Sequence, residues 1–193
     1  KSLKIAHGMN ERQFADFFRH VDELNSKENF PYILKGAEVD ILKDGSLDLE
    51  RSTLESMDCV VASVHTGFNM TEEEMTKRII KAIESKMVNI IGHPTGRVIG
   101  ERDPYKIDVR KAAESSGVAL EINSFINRLD LNDEIIHDLS SYKVMFAIDS
   151  DAHQKEHFNF LRYGIGIARR GWLSKERVIN TLQLKELLAF LGR

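Results

Sequence analysis

The sequence is short of several things, and each shortage excludes a class of protein. There is a single cysteine, Cys59. No intramolecular disulfide can form, and a reducing, cytoplasmic setting is the simplest reading. Proline is scarce, at three residues, and glycine is ordinary, at 12. With a mean hydropathy of −0.30, this excludes collagen-like and Pro/Gly-rich disordered chains. No apolar run approaches the roughly 20 residues of a membrane span, and no secretory signal opens the chain, so no membrane partner is expected. Neither sign of charge dominates: 27 Lys and Arg stand against 30 Asp and Glu, a net charge of −3. A strongly basic nucleic-acid coat is excluded, although a local basic patch is not. No Gly-rich turn follows a first strand, so dinucleotide binding has no support.

What is present is an alternation of helical and strand patterns without a linker, expected to form one domain over residues 1–193. Asn10 suits the N-cap of a helix over residues 11–24, which places Phe14, Phe17, Phe18, Val21 and Leu24 on one stripe. That stripe reads as core and not as a base-stacking platform. Residues 32–42 read as a strand, closed by a turn at Lys43-Asp44-Gly45. Residues 59–64 are a short β-branched run typical of a buried strand, in which Cys59 is a small hydrophobe. Thr71 and Glu74 form a capping box for a helix that turns Met75, Ile79, Ile80 and Ile83 inward. Residues 88–91 are the next strand. Asp108 opens a helix that ends at Gly117. A strand over 118–122, a helix capped by Asn132 and a strand over 144–148 follow. Residues 163–168 read as one more strand, and Ser174 caps a last helical stretch carrying Val178, Leu182, Leu187, Leu188 and Leu191. Buried strands separated by amphipathic helices predict parallel β/α units.

The chemistry lies in a repeated placement. At or just after each apolar strand sits a polar residue that a core would not favour: Glu38, His65, His93, Asn123 and Asp151, spaced by 27, 28, 30 and 28 residues. Each interval is about one β/α unit. In a parallel barrel the carboxyl ends of all strands share one face, so these residues are expected to converge there. Asp149, Asp151 and His153 alternate along the chain and would share a face if the segment stays extended. Mixed His and carboxylate donors suit zinc, manganese or iron better than calcium or magnesium. Glu38, His65, His93, Asp151 and His153 exceed what one four-coordinate site uses, which points to a cluster of divalent metals. Such clusters clamp phosphoryl oxygens and activate water, so phosphoester hydrolysis is the expected reaction class.

Beside the proposed ligands, Gly92-His93-Pro94-Thr95-Gly96-Arg97 forms a tight loop in which Arg97 can bind a phosphate oxygen bidentately. Arg128 is a second candidate for that role. Arg169 and Arg170 read as a solvated basic turn. Asp40 and Asp149 suit either partners that orient ligands or solvated caps, and His7 lies near the start of the chain.

The motifs Gly36-Ala37-Glu38, Ser63-Val64-His65, GHPTGR, Glu121-Ile122-Asn123, Arg128-Leu129-Asp130-Leu131, Ser150-Asp151-Ala152-His153 and Ala168-Arg169-Arg170-Gly171-Trp172-Leu173 occur in that order. In this the chain closely resembles the PHP (polymerase and histidinol phosphatase) domain at the C-terminus of bacterial family X DNA polymerases. The resemblance implies an α/β fold, a distorted TIM-like (β/α)7 barrel. It implies a cluster of manganese or zinc ions at the strand carboxyl ends, held by Glu38, His65, His93, Asp151 and His153. It also implies 3′-5′ exonuclease chemistry on DNA 3′ ends, with polymerase domains of the same polypeptide as partners. Family members begin with a His-x-His strand and a Thr-Asp-His-Ser segment. This sequence opens at Lys1, just after that serine would stand, so a fragment without its first strands and three expected His ligands is anticipated, less stable alone than a full domain. Asn123-Ser124-Phe125-Ile126-Asn127 also lacks the proline often found before RLDL. A free-standing histidinol-phosphatase-like enzyme and a non-catalytic PHP module are the competing readings.

Overall fold

A computed structural model describes residues 8–27, 32–115 and 117–192; His7 lies outside them. Helix α1 (Glu11–Asn25) starts at a reciprocal cap. The Asn10 side chain accepts from the Gln13 N–H at 3.1 Å, and Gln13 Oε1 accepts from the Asn10 N–H at 2.9 Å. Phe14, Phe18 and Val21 are buried, and the two rings pack with Leu54, Met57 and Val60. Phe17 is 47% exposed: it sits one step round the helix from Phe18, so the apolar stripe is one ring narrower than expected.

The chain then runs β1 (Gly36–Asp40), α2 (Arg51–Glu55), β2 (Cys59–Ser63), α3 (Glu72–Glu84), β3 (Ile90–Ile91), α4 (Val109–Glu114), β4 (Ala119–Asn123), α5 (Asp133–Asp138), β5 (Met145–Asp149), α6 (Leu161–Arg170) and α7 (Leu184–Phe190). The five strands form one sheet in the order β1-β2-β3-β4-β5, every pair parallel. That is the expected α/β class, with consecutive β/α units placed side by side as in a TIM-like barrel. Helix α3 opens on the Thr71–Glu74 capping box, and the Asp108 and Asn132 side chains cap α4 and α5. Met75, Ile79 and Ile83 of α3 pack with Ile91, Leu120, Ile122 and Phe146 of the sheet. Each such fully buried side chain contributes roughly 1.5–3 kcal/mol relative to exposure.

Two expected elements differ. Residues 163–168 are not a strand but part of α6. Gly164 and Ala168, four apart, are the residues that turn inward, whereas Tyr163 and Ile165 stay exposed. A Cβ at Gly164 would lie 2.0 Å from Ser124 Oγ, so only glycine lets the helix approach the end of β4. The C-terminal stretch is not one helix opened by Ser174: its side chain makes no capping bond, and two short 3-10 turns precede α7. The first of these turns leads to Val178, which bridges in parallel to Phe146 of β5. Among the described residues no helix is long and apolar enough to cross a membrane.

One buried charge braces the sheet from the helix side. Arg78 of α3 is 2% exposed. Its guanidinium donates to the Thr66 carbonyl at 2.8 Å and to the Ile41 carbonyl, and burial pushes it below its ordinary pKa. Ile41 and Thr66 begin the loops after β1 and β2, so α3 holds both loops at the carboxyl edge of the sheet.

Candidate metal centre

Register brings the strand ends level: Asp40 is opposite Ser63, and Asn123 is opposite Asp149. Glu38, in the middle of β1, and side chains at or just beyond the other strand ends gather on one edge. Glu38 Oε1 lies 3.1 Å from His93 Nε2 and 3.4 Å from His65 Nε2, and the two imidazoles meet edge to face at 5.1 Å. One donor atom from each of Glu38, His65 and His93 falls within 4.8 Å of the others. Ligands held about 2.0–2.2 Å from a metal ion lie about 3–4 Å apart, so the trio fits a divalent cation with nitrogen and oxygen ligands.

The electrostatics agree. Desolvation alone would raise the Glu38 carboxyl, but hydrogen bonds and charge from His65 and His93 outweigh it and hold the group well below the usual carboxylate range. Burial would lower His65, but hydrogen bonds to Asp40 and Glu38 outweigh it and lift the imidazole to about 9. Carboxylates and imidazoles here share protons at the point where a cation would satisfy them all.

Behind the trio, carboxylates fix the ligands. Asp40 is buried; its Oδ1 accepts from the His65 N–H at 3.2 Å and stands 3.3 Å from the ring Nδ1, which leaves Nε2 facing Glu38. Asp40→Ala should therefore weaken metal binding by about 10–100-fold, the usual consequence of losing a residue that orients a ligand, while the circular dichroism spectrum stays unchanged. Calorimetric titration with Mn²⁺ checks this, and an unaltered affinity would remove Asp40 from the site.

His93 is held differently. It has φ of +27° and 3% side-chain exposure, and its N–H donates to the Glu121 carboxylate. The Thr95 N–H donates to Asp130 Oδ2 at 3.0 Å. Arg97 Nε donates to the Arg128 carbonyl at 2.7 Å, and its Nη2 to the Leu129 carbonyl. At Gly96, φ is +63° and a Cβ would meet the Tyr105 ring at 2.2 Å. The GHPTGR loop is thus tied to the segment after β4. Burial raises Glu121, helped by the neighbouring Asp149 charge; burial also raises Asp149, to about 6, and Asp130. Glu121 and Asp130 escaped notice as functional residues in the sequence. The available signal was a carboxylate inside the apolar run Ala119-Leu120-Glu121-Ile122, whose strand is buried along its whole length.

Asp151 and His153 occupy the same edge but stand outside the trio. Asp149, Asp151 and His153 do not share an extended face as expected, because β5 ends at Asp149 and Asp151 has φ of +48°. The Asp149 carboxyl turns to Glu121. Asp151 Oδ2 accepts from Asn123 Nδ2 at 3.1 Å and lies 3.6 Å from Arg128 Nε. His153 Nδ1 is 2.7 Å from the Asp151 carbonyl, and its side chain is exposed. Arg128 Nη1 is buried without a hydrogen-bond partner. Arg170 is engaged in a surface ion pair with Asp133 at 2.8 Å.

No family model matches the chain. It is 40% identical over 99% of its length to the DNA polymerase/3′-5′ exonuclease PolX of Bacillus subtilis, of which it spans 34%. It is 32% identical over 86% of its length to a "probable phosphatase" of Thermoanaerobacter sp., of which it spans 70%. A "probable phosphatase" of Caldanaerobacter subterraneus subsp. tengcongensis is 33% identical over 71% of the chain, which spans 57% of that protein. The chain therefore spans about a third of its polymerase relative and the greater part of the two phosphatases.

Proposed function

The chain belongs to the PHP family of metal-dependent hydrolases, and from that premise we propose that it is the 3′-5′ exonuclease module of a family X DNA repair polymerase, acting on DNA 3′ ends. The observation that carries this reading is the convergence of Glu38, His65 and His93 in a chain that resembles the PolX relative over 99% of its length. These three residues would hold the metal, with Asp151 and His153 on the same edge as further candidate donors. Manganese, zinc and iron all suit the donor set. When bound, the metal supplies Lewis acidity toward a phosphoryl oxygen and a lowered pKa for water.

The chain's own residues supply the rest. Arg128, partly exposed and 3.6 Å from Asp151 through its Nε, binds a non-bridging phosphate oxygen. Arg97 fixes the carbonyls of residues 128 and 129 and acts through the position of Arg128. Asp40 and Glu121 hold His65 and His93 in place. Polymerase domains elsewhere in the same polypeptide would deliver the DNA end.

A second reading, a phosphomonoesterase, is favoured by the phosphatase relative of which the chain spans 70%. A 5′-labelled oligonucleotide and histidinol phosphate, each with Mn²⁺, separate the two. Stepwise loss of 3′ nucleotides with little release from the monoester is the expected result. The opposite preference would replace the nuclease reading by the phosphatase, and no turnover of either would leave a non-catalytic module.

A further inference from the structure

Beside Asp151, on the same carboxyl edge, lies a knot of rings of which only His153 is a candidate metal donor. Phe125 follows β4 by two residues; His153, His157, Phe160 and Tyr163 follow β5. Phe125 meets three of these rings edge to face, His157 at 4.9 Å, Phe160 at 5.4 Å and His153 at 6.0 Å between centroids. His157 stacks on Phe160 at 4.9 Å with 18° between planes. The rings belong to none of the three buried apolar clusters. Phe125, His157 and Phe160 are half-buried, His153 and Tyr163 exposed.

Two observations tie the knot to the metal centre. Asn123 Oδ1 accepts from the Phe125 N–H at 2.9 Å, while Asn123 Nδ2 donates to Asp151 at 3.1 Å and to Glu121 at 3.3 Å. Glu121 in turn accepts from the His93 N–H. A continuous chain of hydrogen bonds thus sets the rings relative to a metal-ligating loop. Arg128, whose N–H donates to the Phe125 carbonyl at 2.8 Å, sets its guanidinium 3.6 Å from Asp151, a cation for phosphate on the same edge. A ligand offering a flat apolar ring together with a phosphate is a nucleotide.

We propose that Phe125, His157 and Phe160 form a stacking subsite for the terminal nucleobase of a DNA strand whose phosphodiester lies at Glu38, His65 and His93. The proposal rests on the nuclease reading. Stacking on aromatic rings tolerates any base, since every base has a π-face, which suits trimming without sequence preference. Mutual ring contacts already restrict these side chains, so little rotamer entropy remains to be lost on binding. The two imidazoles keep the surface wettable when empty, which fits a transient ligand better than a permanent protein contact. A sugar phosphate has no aromatic ring to place here, and histidinol phosphate offers only a single small imidazole where a nucleobase offers a wider face.

The test is binding of a single strand carrying 2-aminopurine at its 3′ end and phosphorothioate linkages that resist hydrolysis, with the metal retained. The wild-type chain should quench the fluorophore and bind this strand about tenfold more tightly than one ending in an abasic residue. Phe125→Leu and Phe160→Leu should abolish both the quench and the preference, without weakening binding of the abasic-ended strand. His157→Leu should do the same, and serves if either phenylalanine variant fails to fold by thermal melting. An unchanged quench, or equal weakening of both strands, would overturn the subsite. Because neither readout needs turnover, a chain that quenches but hydrolyses only monoesters would overturn the nuclease reading alone; one that trims DNA with the quench unaltered in the variants would overturn the subsite alone.

Discussion

Replacing His93 by alanine should empty the metal centre and reduce hydrolysis by more than a hundredfold. Position sets the size of the effect. Losing a residue that merely orients a ligand costs about 10–100-fold in affinity or activity, and His93 is a donor itself, its Nε2 3.1 Å from the carboxylate oxygen it shares with His65. Without it, Glu38 and His65 are the donors left in the trio, a pair too few for a firmly held ion. The variant should nevertheless fold. The hydrogen bonds that hold this loop use backbone groups of His93 and Thr95, and alanine retains both. Metal content by elemental mass spectrometry, read beside the thermal midpoint, separates the cases. An intact midpoint with lost metal and lost hydrolysis is expected. Undiminished metal and turnover would remove His93 from the centre.

What sequence could reveal depended on how local the cause was. The starts of α1, α3, α4 and α5 were legible because a cap is a bond between residues about three apart. The parallel units were legible because strands buried on both faces are short apolar runs. Glu38, His65 and His93 were legible because polar residues recur at a spacing of one β/α unit, although Glu38 lies within β1 and does not close it. Gly164-Ile165-Gly166-Ile167 alternates as a strand does, yet it is helical, and the reason is tertiary: the side of the helix bearing Gly164 lies against Ser124. The turn at Asp151 was invisible for the same reason. Its left-handed backbone is accompanied by bonds from Asn123 and Arg128, 28 and 23 residues distant in sequence. Glu121 and Asp130 look like ordinary charges until the fold buries them against the loop that carries His93.

Arg78 illustrates the same limit and carries the second large effect. On the α3 stripe it sits between Met75 and Ile79, both fully buried, and nothing in the helical pattern marks it as more than a long polar side chain at the rim. Its guanidinium is instead the donor for two carbonyls, those of Ile41 and Thr66. Arg78→Met would keep much of the volume and remove both bonds. Hydrogen bonds to a charged group contribute about 1.5–3 kcal/mol each, and relief of the buried charge returns part of that. A net loss of about 2–4 kcal/mol is expected, and for a chain of this size the thermal midpoint should fall by about 5–15 °C. The loss should not stop at stability. Ile41 follows Asp40 and Thr66 follows His65, so the two carbonyls belong to the loops that hold the Asp40–His65 pair together. Arg78→Met should therefore lower metal affinity as well as the midpoint, whereas Asp40→Ala lowers affinity alone. Thermal melts with and without saturating Mn²⁺ distinguish them: a variant that melts early but binds metal as tightly as the wild type would show that α3 braces the fold without reaching the metal centre.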